Sequence, residues 1–275
     1  MTLFEATIDN HPCYSNTREN LWHRIHLPVA VFCNVKCIYC THSRGSSCHM
    51  SKPGFARKIM PPLIAFERAK KEIDSNSQIK IVAVSGPGEP LANPETFQTL
   101  RMVREWKKDI HLCMSSNGTL VAENIERLVD LELETLTISM STASPATASV
   151  IYEWAKLENK TLTGIKMGSL IVKKQLLGIQ KAASAGIFVK VNTILIPTIN
   201  QNDIIDLAET ISKAGACLQN IVPLVPHGRL ESMLPPTKIE IEMVRDQASE
   251  YIGQFYHCKQ CRSDVVGIPG CDTIL

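Results

Sequence analysis

The sequence lacks the features that direct a protein to nucleic acid, to a membrane or out of the cell. Its formal net charge is +2, which gives no strong attraction to nucleic acid or to an anionic membrane surface. No apolar run approaches the roughly 20 residues that a membrane-spanning helix needs. The N-terminal stretch has no basic region followed by an apolar segment, so no secretory signal is visible. We therefore expect a cytoplasmic protein, with neither nucleic acid nor membrane among its partners.

The chain also lacks low-complexity segments and internal repeats of about 20–50 residues, and apolar runs alternate instead with amphipathic segments. Strands are predicted at 27–32, 79–85, 110–116, 135–141, 187–197 and 218–226. Helices are predicted at 61–73, 95–108, 124–132, 202–214 and 238–255, and across 144–185 with a break near 161–164. Alternating strands and helices pair their strands in parallel through right-handed crossovers. The pattern predicts an α/β fold, an open partial (β/α)6 TIM-type barrel at 27–255, with an N-terminal arm at 1–26 and a C-terminal tail at 256–275.

Cysteine, by contrast, is abundant, with ten residues in a chain of 275. A disulfide framework is a poor explanation, because such frameworks belong to small secreted domains that lack a sizeable core. Clustered cysteines in a cytoplasmic chain of this length indicate metal or redox chemistry instead.

The sharpest cluster is Cys33, Cys37 and Cys40, which follows the first predicted strand directly. Three thiolates on one short loop can bind three irons of a [4Fe–4S] cluster and leave the fourth iron open to S-adenosylmethionine (SAM). This C-x3-C-x2-C pattern, with Tyr39 before the last cysteine, resembles the radical SAM signature, and the resemblance implies that SAM is cleaved to a 5′-deoxyadenosyl radical. The alternatives are buried free thiols or a zinc knuckle, although zinc sites usually contain paired C-x2-C elements and a fourth ligand nearby.

Candidate SAM contacts follow the later strands, where the active sites of α/β barrels collect. The segment 85–90 resembles the radical SAM family's Gly-Gly-Glu-Pro element, in which the backbone and the carboxylate hold the SAM amino group. The candidates are Tyr39, Gly86, Gly88, Glu89, Ser115, Ser116, Asn117 and Asn192. Each polar residue alone is more typical of a turn or a cap, and only its position after a barrel strand favours a role in SAM binding.

Seven further cysteines exceed the needs of one SAM-cleaving cluster. The candidates for additional ligands are Cys13, His26, Cys48, Cys113, Cys258 and Cys261, whose thiolates and imidazole suit iron–sulfur clusters. Cys113 is also compatible with a buried core residue, and the Cys258–Cys261 pair with zinc or an exposed redox pair. Cys217 and Cys271 stay unassigned.

The longer motifs resemble the NifB family, the radical SAM maturases of nitrogenase cofactor assembly, over nearly the whole chain. The matching segments are HPCYS at 11–15, RIH at 24–26, CNVKCIYC at 33–40, SGPGEPLANPETF at 85–97, DIHLCMSSNG at 109–118, VKVNTILIP at 189–197, NIVPL at 220–224 and HCKQCRSDVVG at 257–267. The resemblance implies one [4Fe–4S] cluster on Cys33, Cys37 and Cys40 that cleaves SAM, and two further [4Fe–4S] clusters that are substrates.

In that family, one SAM donates a methyl group to a cluster sulfide, and the radical from a second SAM abstracts hydrogen from this methyl group. The carbon becomes a carbide as the two substrate clusters fuse into an [8Fe–9S–C] precursor. The partners that the resemblance implies are an iron–sulfur cluster donor, a cofactor carrier or scaffold protein, and a reductant such as ferredoxin or flavodoxin. We expect the chain itself to be a monomer.

The chain departs from the family pattern after the radical SAM triplet. The loop at 41–47 before Cys48 is longer than usual, and Ser51 stands where the family has a glutamate. His42 and His49 are candidate replacements for that ligand. Two rival functions remain open here: a radical SAM enzyme whose auxiliary clusters serve a peptide or small-molecule substrate, and a non-catalytic iron–sulfur scaffold. The intact triplet with its glycine-rich SAM element argues against the scaffold.

Overall fold

Parallel strands form the centre of the fold in a computed structural model that describes residues 8–41 and 54–275. The strands of these residues are β1 (His23–His26), β2 (Val35–Cys37), β3 (Ile79–Val84), β4 (His111–Ser116), β5 (Thr135–Ser139), β6 (Tyr152–Leu157), β7 (Lys160–Leu162), β8 (Phe188–Leu195), β9 (Leu218–Pro223), β10 (Val265–Gly267) and β11 (Thr273–Ile274). The main sheet has the order β11-β10-β1-β3-β4-β5-β8-β9, and its strands from β1 to β9 are parallel. The predicted six-stranded partial barrel is therefore confirmed.

Helices cover the outside of the sheet through their apolar faces. They are α1 (Pro62–Ser75), α2 (Pro94–Trp106), α3 (Ile125–Asp130), α4 (Pro145–Ile151), α5 (Gly164–Ser184), α6 (Ile204–Lys213) and α7 (Lys238–Ala248). Helix α6 buries Ile204, Leu207, Ala208 and Ile211, which lie on one face at helical spacing. Helix α7 ends at Ala248 rather than at residue 255. No helix in the described part of the chain has both the length and the apolar character that crossing a membrane requires.

Strand β4 illustrates how a barrel strand directs alternate side chains to the apolar core and to the interior of the barrel. Leu112 and Met114 are fully buried in the main apolar core. Cys113 and Ser115, the alternate residues, line a cavity inside the barrel instead. This division follows from the two-residue period of a strand, in which successive side chains point to opposite faces.

The prediction of a first strand at 27–32 is wrong, because β1 ends at His26. Pro28 has no backbone N–H to donate to a sheet ladder, which interrupts the apolar run as a strand. The segment instead contacts the glycine-rich loop after β3: the N–H of Gly88 donates to the Ala30 carbonyl (2.8 Å) and that of Glu89 to the Phe32 carbonyl (2.8 Å). The loop that carries Cys33, Cys37 and Cys40, called the cluster loop below, therefore starts from a fixed position beside that glycine-rich loop.

The prediction of a mostly helical segment at 144–185 is wrong in its middle. Helix α4 is followed by the hairpin of β6 and β7, whose turn residues Glu158 and Asn159 have φ angles of 51° and 60°, as a tight two-residue hairpin turn requires. Strand β6 also pairs antiparallel with β2, so that Val35 lies opposite Ala155. This non-local pairing, which the local apolar pattern does not reveal, holds the chain as a strand.

The C-terminal tail, for which the sequence predicted no strand, extends the main sheet. Strand β10 pairs antiparallel with β1, placing Gly267 opposite Arg24, and β11 pairs with β10. The tail is thereby fixed against the first strand of the barrel.

Gly88 provides a test of the contact between the glycine-rich loop and the cluster loop. A Cβ atom at this position would lie 2.3 Å from the carbonyl oxygen of Phe32. Because the obstacle is backbone, we expect Gly88→Ala to lower the free energy of unfolding by about 1–3 kcal/mol, the usual cost of overpacking. Denaturant unfolding of the metal-free chain measures this effect.

The matched control is Gly253→Ala, whose Cβ atom would make an ordinary 3.6 Å contact with Leu218 Cδ1. We expect that variant to change the free energy of unfolding by less than about 0.5 kcal/mol, as surface substitutions usually do. Equal effects of the two substitutions would contradict the proposed backbone contact.

Candidate functional site

A cavity of about 340 Å³ lies at the carboxyl end of the parallel strands. Its wall contains pairs of residues two apart on neighbouring strands or just beyond them: Ala83 and Ser85, Cys113 and Ser115, Thr137 and Ser139, and Lys190 and Asn192. Ser115 lies opposite Thr137, and Thr137 opposite Lys190, so the pairs stand side by side in the sheet. The cavity is therefore the interior of the barrel at the end where such folds carry their active sites.

Most of the predicted ligands in the described residues meet on this one cavity. The residues that line it are Cys13 from the arm, His26 from β1, Cys40 from the cluster loop, Cys113 from β4, and Cys258 and Cys261 from the tail. Of the SAM candidates, Tyr39, Ser115 and Asn192 line it as well. Burial raises the pKa of Cys113 to about 12 and that of Cys261 to about 12, so both thiols keep their protons until a metal ion displaces them.

The cluster loop, which carries Cys33, Cys37 and Cys40, is held on two sides. Strand β2 within it pairs with β6, and the N–H of Arg229 donates to the Ile38 carbonyl (2.8 Å). Burial raises the pKa of Cys33 to about 12 and raises the pKa of Cys37 further. Of the three cysteines, only Cys40 lines the cavity.

The donor set of this loop fits a [4Fe–4S] cluster better than a single ion. Among residues 8–41 and 54–275, no group of three or more His, Cys, Asp or Glu side chains converges closely enough to hold one metal ion. A cubane has no such requirement, because each thiolate binds a different iron. Three thiolates on this one loop therefore suit a cluster of this kind.

Glu89 ties the glycine-rich loop to the end of β4. Its carboxylate accepts hydrogen bonds from Ser116 Oγ (2.7 Å), from the N–H of Asn117 (2.6 Å) and from the N–H of Leu91 (3.1 Å), and the residue is 2% exposed. Asn117 Nδ2 in turn donates to Asn34 Oδ1 (2.8 Å) in the cluster loop. These contacts join three loops at the barrel mouth, while direct contact of Glu89, Ser116 and Asn117 with SAM stays a prediction.

In the glycine-rich loop, the backbone conformation at position 86 and the close backbone contact at position 88 both require glycine. Gly86 has a φ angle of 139°, which side chains rarely adopt, and Gly88 makes the close approach to Phe32 described above. Neither lines the cavity. Their contact with SAM also stays a prediction.

His26 presents the chemistry of a metal ligand. Its Nδ1 lies 3.2 Å from the carbonyl oxygen of Arg262 and 3.2 Å from Ser85 Oγ. Since a carbonyl can only accept, this geometry assigns the proton to Nδ1 and leaves the Nε2 lone pair free. Burial lowers the pKa of His26 to about 3, which keeps the imidazole neutral and able to bind a metal.

Arg24 fixes the tail to the barrel from a fully buried position. Its guanidinium donates to the Gly267 carbonyl (2.6 Å), to Asp272 Oδ2 (2.6 Å) and to Cys261 Sγ (3.1 Å). The Arg24 side chain is 1% exposed. One buried cation therefore determines where Cys261 lies on the cavity wall.

The polar residues of this cavity that were not assigned roles from the sequence include His11, Arg24 and Lys190. Lys190 is 3% exposed, and its Nζ donates to the Cys13 carbonyl (2.6 Å). A lysine within the mostly apolar predicted strand 187–197 is a signal that could have identified it, since charged side chains are rarely buried without a partner. All three lie inside the matched motifs, where their contacts were not visible.

Some predicted residues cannot be placed on the cavity. Cys48 and its possible substitutes His42, His49 and Ser51 lie outside the described residues, and their roles stay predictions. Cys217 and Cys271, left unassigned from the sequence, are exposed and do not line the cavity.

Comparison with known families agrees with this geometry. The model of the radical SAM superfamily matches residues 27–211. The FeMo cofactor biosynthesis protein NifB of Methanocaldococcus jannaschii is 35% identical over 268 residues, covering 98% of this chain and 89% of the relative. NifB of Klebsiella pneumoniae is 33% identical over 269 residues, covering 95% of this chain and 57% of the relative. The similarity to these relatives thus includes the arm and the tail.

Solved structures share the fold at low sequence identity. Methylornithine synthase (PylB) has a TM-score of 0.53 at 11% identity, covering 92% of this chain and 73% of its own. The radical S-adenosylmethionine methyltransferase TsrM of Kitasatospora setae has a TM-score of 0.50 at 11% identity, covering 75% of this chain and 38% of its own. At such identities the likeness shows the fold alone.

The contact between Arg24 and the tail yields a stability prediction. Asp272→Ala removes a charged acceptor from a buried guanidinium, so we expect a loss of about 1.5–3 kcal/mol in the free energy of unfolding, as for hydrogen bonds to charged groups. We also expect faster amide exchange at 265–275. Unfolding curves and hydrogen exchange on the metal-free chain measure both effects.

Glu209→Ala is the control, because the Glu209–Lys213 pair is exposed on α6 and pairs of this kind contribute about 0.3–0.5 kcal/mol. If Asp272→Ala cost no more than this control, the role of Arg24 in holding the tail would be refuted.

Proposed function

Because the chain belongs to the NifB family of the radical SAM superfamily, we propose that it builds the precursor of a nitrogenase cofactor. In this reaction two [4Fe–4S] substrate clusters fuse, with insertion of a carbide derived from SAM, into an [8Fe–9S–C] cluster. The two clusters supply one sulfur fewer than the product contains, so a separate sulfur donor is also required.

The observation that carries the proposal is the convergence of ligands from distant parts of the chain on one cavity. Cys13 comes from the arm, Cys113 from the middle of the barrel, and Cys258 and Cys261 from the tail. Cys40 of the SAM-cleaving loop lines the same cavity. Substrate clusters held by these residues would lie beside the site of SAM cleavage, which is the proximity that a reaction between bound groups needs.

The cluster loop and its neighbours prepare SAM for cleavage. Cys33, Cys37 and Cys40 would hold the resident [4Fe–4S] cluster, which would supply the electron for SAM cleavage. Tyr39, Ser115 and Asn192 line the same cavity as Cys40, and in this scheme they would contact bound SAM. Glu89, Ser116 and Asn117 keep the surrounding loops in register through their hydrogen bonds.

The substrate clusters take their ligands from Cys13, His26, Cys113, Cys258 and Cys261, and from Cys48 outside the described residues. The cavity suits such clusters electrostatically, since it is lined by the cations Arg24, Lys190 and Lys259 and by no described Asp or Glu. A cluster bound by thiolates is anionic, and buried anions require a compensating charge. Enclosure in the barrel also excludes water from the reacting centre.

The proposed partners follow from this role. A cluster donor protein supplies the two substrate clusters, a ferredoxin or flavodoxin supplies electrons, and a separate carrier or scaffold protein receives the product. The chain acts as a monomer in this scheme, because all the ligands that we name belong to one chain.

Iron counting with EPR, before and after addition of excess SAM and reductant, tests the proposal first. We expect about twelve irons per anaerobically reconstituted chain, because three four-iron clusters need three ligand sets. The auxiliary EPR signals should disappear after SAM is added, as the two clusters become one product. Four irons per chain, or auxiliary signals that persist through SAM cleavage, would instead indicate a radical SAM enzyme with a peptide or small-molecule substrate.

Cysteine variants separate SAM cleavage from cluster fusion. We expect Cys33→Ala to abolish SAM cleavage, because an iron of the resident cluster loses its ligand. We expect Cys258→Ala to retain SAM binding and lose fusion, measured as product cluster formed per chain. Cys271→Ala, at an exposed cysteine off the cavity, should retain both activities. Fusion by the Cys258 variant at the parent rate would remove the tail from the mechanism.

A further inference from the structure

His11 lies in the cavity but has no part in the ligand set described above. It precedes Cys13 by two residues, lines the same wall and is 2% exposed. Its ring packs edge-on against Tyr14, with ring centroids 4.6 Å apart. The side chain is therefore fixed in place beside a proposed cluster ligand.

The hydrogen bond at Nδ1 determines which nitrogen of His11 carries the proton. The backbone N–H of Cys13 donates to His11 Nδ1 at 3.1 Å. A nitrogen that accepts has no proton of its own, so the imidazole is neutral and its proton is on Nε2. His11 is thus the opposite tautomer from His26, whose Nδ1 donates to a carbonyl.

The Nε2–H group of His11 is buried and has no hydrogen-bond partner among the described residues. Arg24 Nε, on the same cavity, is a second buried donor without a partner there. Native proteins rarely leave buried donors unpaired, and such groups indicate an acceptor that binds to them. Two such donors on one wall, with no described carboxylate lining it, point to an anionic acceptor in the cavity.

We propose that His11 Nε2–H and Arg24 Nε–H donate hydrogen bonds to sulfur atoms of the substrate cluster at Cys13. This inference rests on the proposed function and assigns His11 as a positioning residue, distinct from the ligand His26. Sulfide and thiolate sulfurs are the acceptors of an iron–sulfur cluster, and hydrogen bonds to them stabilise its more negative, reduced form. His11 would therefore both orient that cluster and raise its reduction potential.

Two substitutions at His11 distinguish the role of the Nδ1 acceptor from that of the Nε2–H donor. Asn can accept from the N–H two residues ahead, as Asx turns do, so His11→Asn keeps the contact with Cys13 but is too short to replace Nε2–H. Gln reaches further, and its amide N–H can replace the donor at Nε2. His23→Asn is the control, since His23 bonds to Asn76 and does not line the cavity.

Redox titration followed by EPR, on the reconstituted full chain, measures the potential of each auxiliary cluster. We expect His11→Asn to keep the parent iron content, to shift one auxiliary potential to more negative values, and to lose one exchangeable-proton coupling in ENDOR spectra. His11→Gln should restore most of both, and His23→Asn should match the parent chain.

Three outcomes would overturn the inference. An unchanged potential and coupling in His11→Asn would show that Nε2–H contacts no cluster. Loss of a directly bound nitrogen signal would make His11 a ligand instead. An iron content of four per parent chain would overturn the proposed function together with this inference. Twelve irons per chain, with potential and proton coupling unchanged in His11→Asn, would overturn the inference alone.

Discussion

The buried guanidinium of Arg24 is the interaction on which the cavity depends. A cation at 1% side-chain exposure needs acceptors that compensate its charge, because an uncompensated buried charge is strongly destabilising. Its partners are the Gly267 carbonyl and Asp272 in the tail, and Cys261 on the cavity wall. The tail must therefore dock on β1 for the barrel to be stable, and docking brings a proposed cluster ligand to the site. The Arg24 side chain thus couples the stability of the barrel to the placement of Cys261 on the cavity wall.

The cluster loop depends on a second set of constraints, which are mainly backbone contacts. The pairing of β2 with β6, the close approach of Gly88 to Phe32, and the carboxylate of Glu89 hold three loops together at the barrel mouth. These contacts leave Cys40 on the cavity and the other two loop cysteines off it. The cluster loop and the proposed substrate-cluster ligands can thereby share one cavity without sharing ligands.

Two histidines on this cavity show how the backbone determines side-chain chemistry. His26 and His11 are the same type of residue, and both line the cavity from buried positions. His26 faces a carbonyl and so keeps a free lone pair, whereas His11 faces a backbone N–H and so keeps a free donor. The first can bind a metal, and the second can hydrogen-bond to a cluster sulfur. The type of residue alone does not distinguish these roles.

The sequence by itself determined the strands β3, β4, β5, β8 and β9 and the cysteine triplet, because apolar periodicity and short spacings are local properties of the chain. It also determined which cysteines were surplus to one cluster, and the structure brings four of these, Cys13, Cys113, Cys258 and Cys261, to one cavity. Only the tertiary structure decided the position of β1, the hairpin of β6 and β7 in a segment predicted as helical, and the pairing of the tail with β1. The same holds for Arg24, Lys190 and the donor of His11. The strand pairings and the contacts of Arg24 and Lys190 join residues far apart in the sequence, and no local pattern reports a hydrogen bond between residues 24 and 272. The donor of His11 depends on its burial in the folded chain and on a backbone hydrogen bond from Cys13.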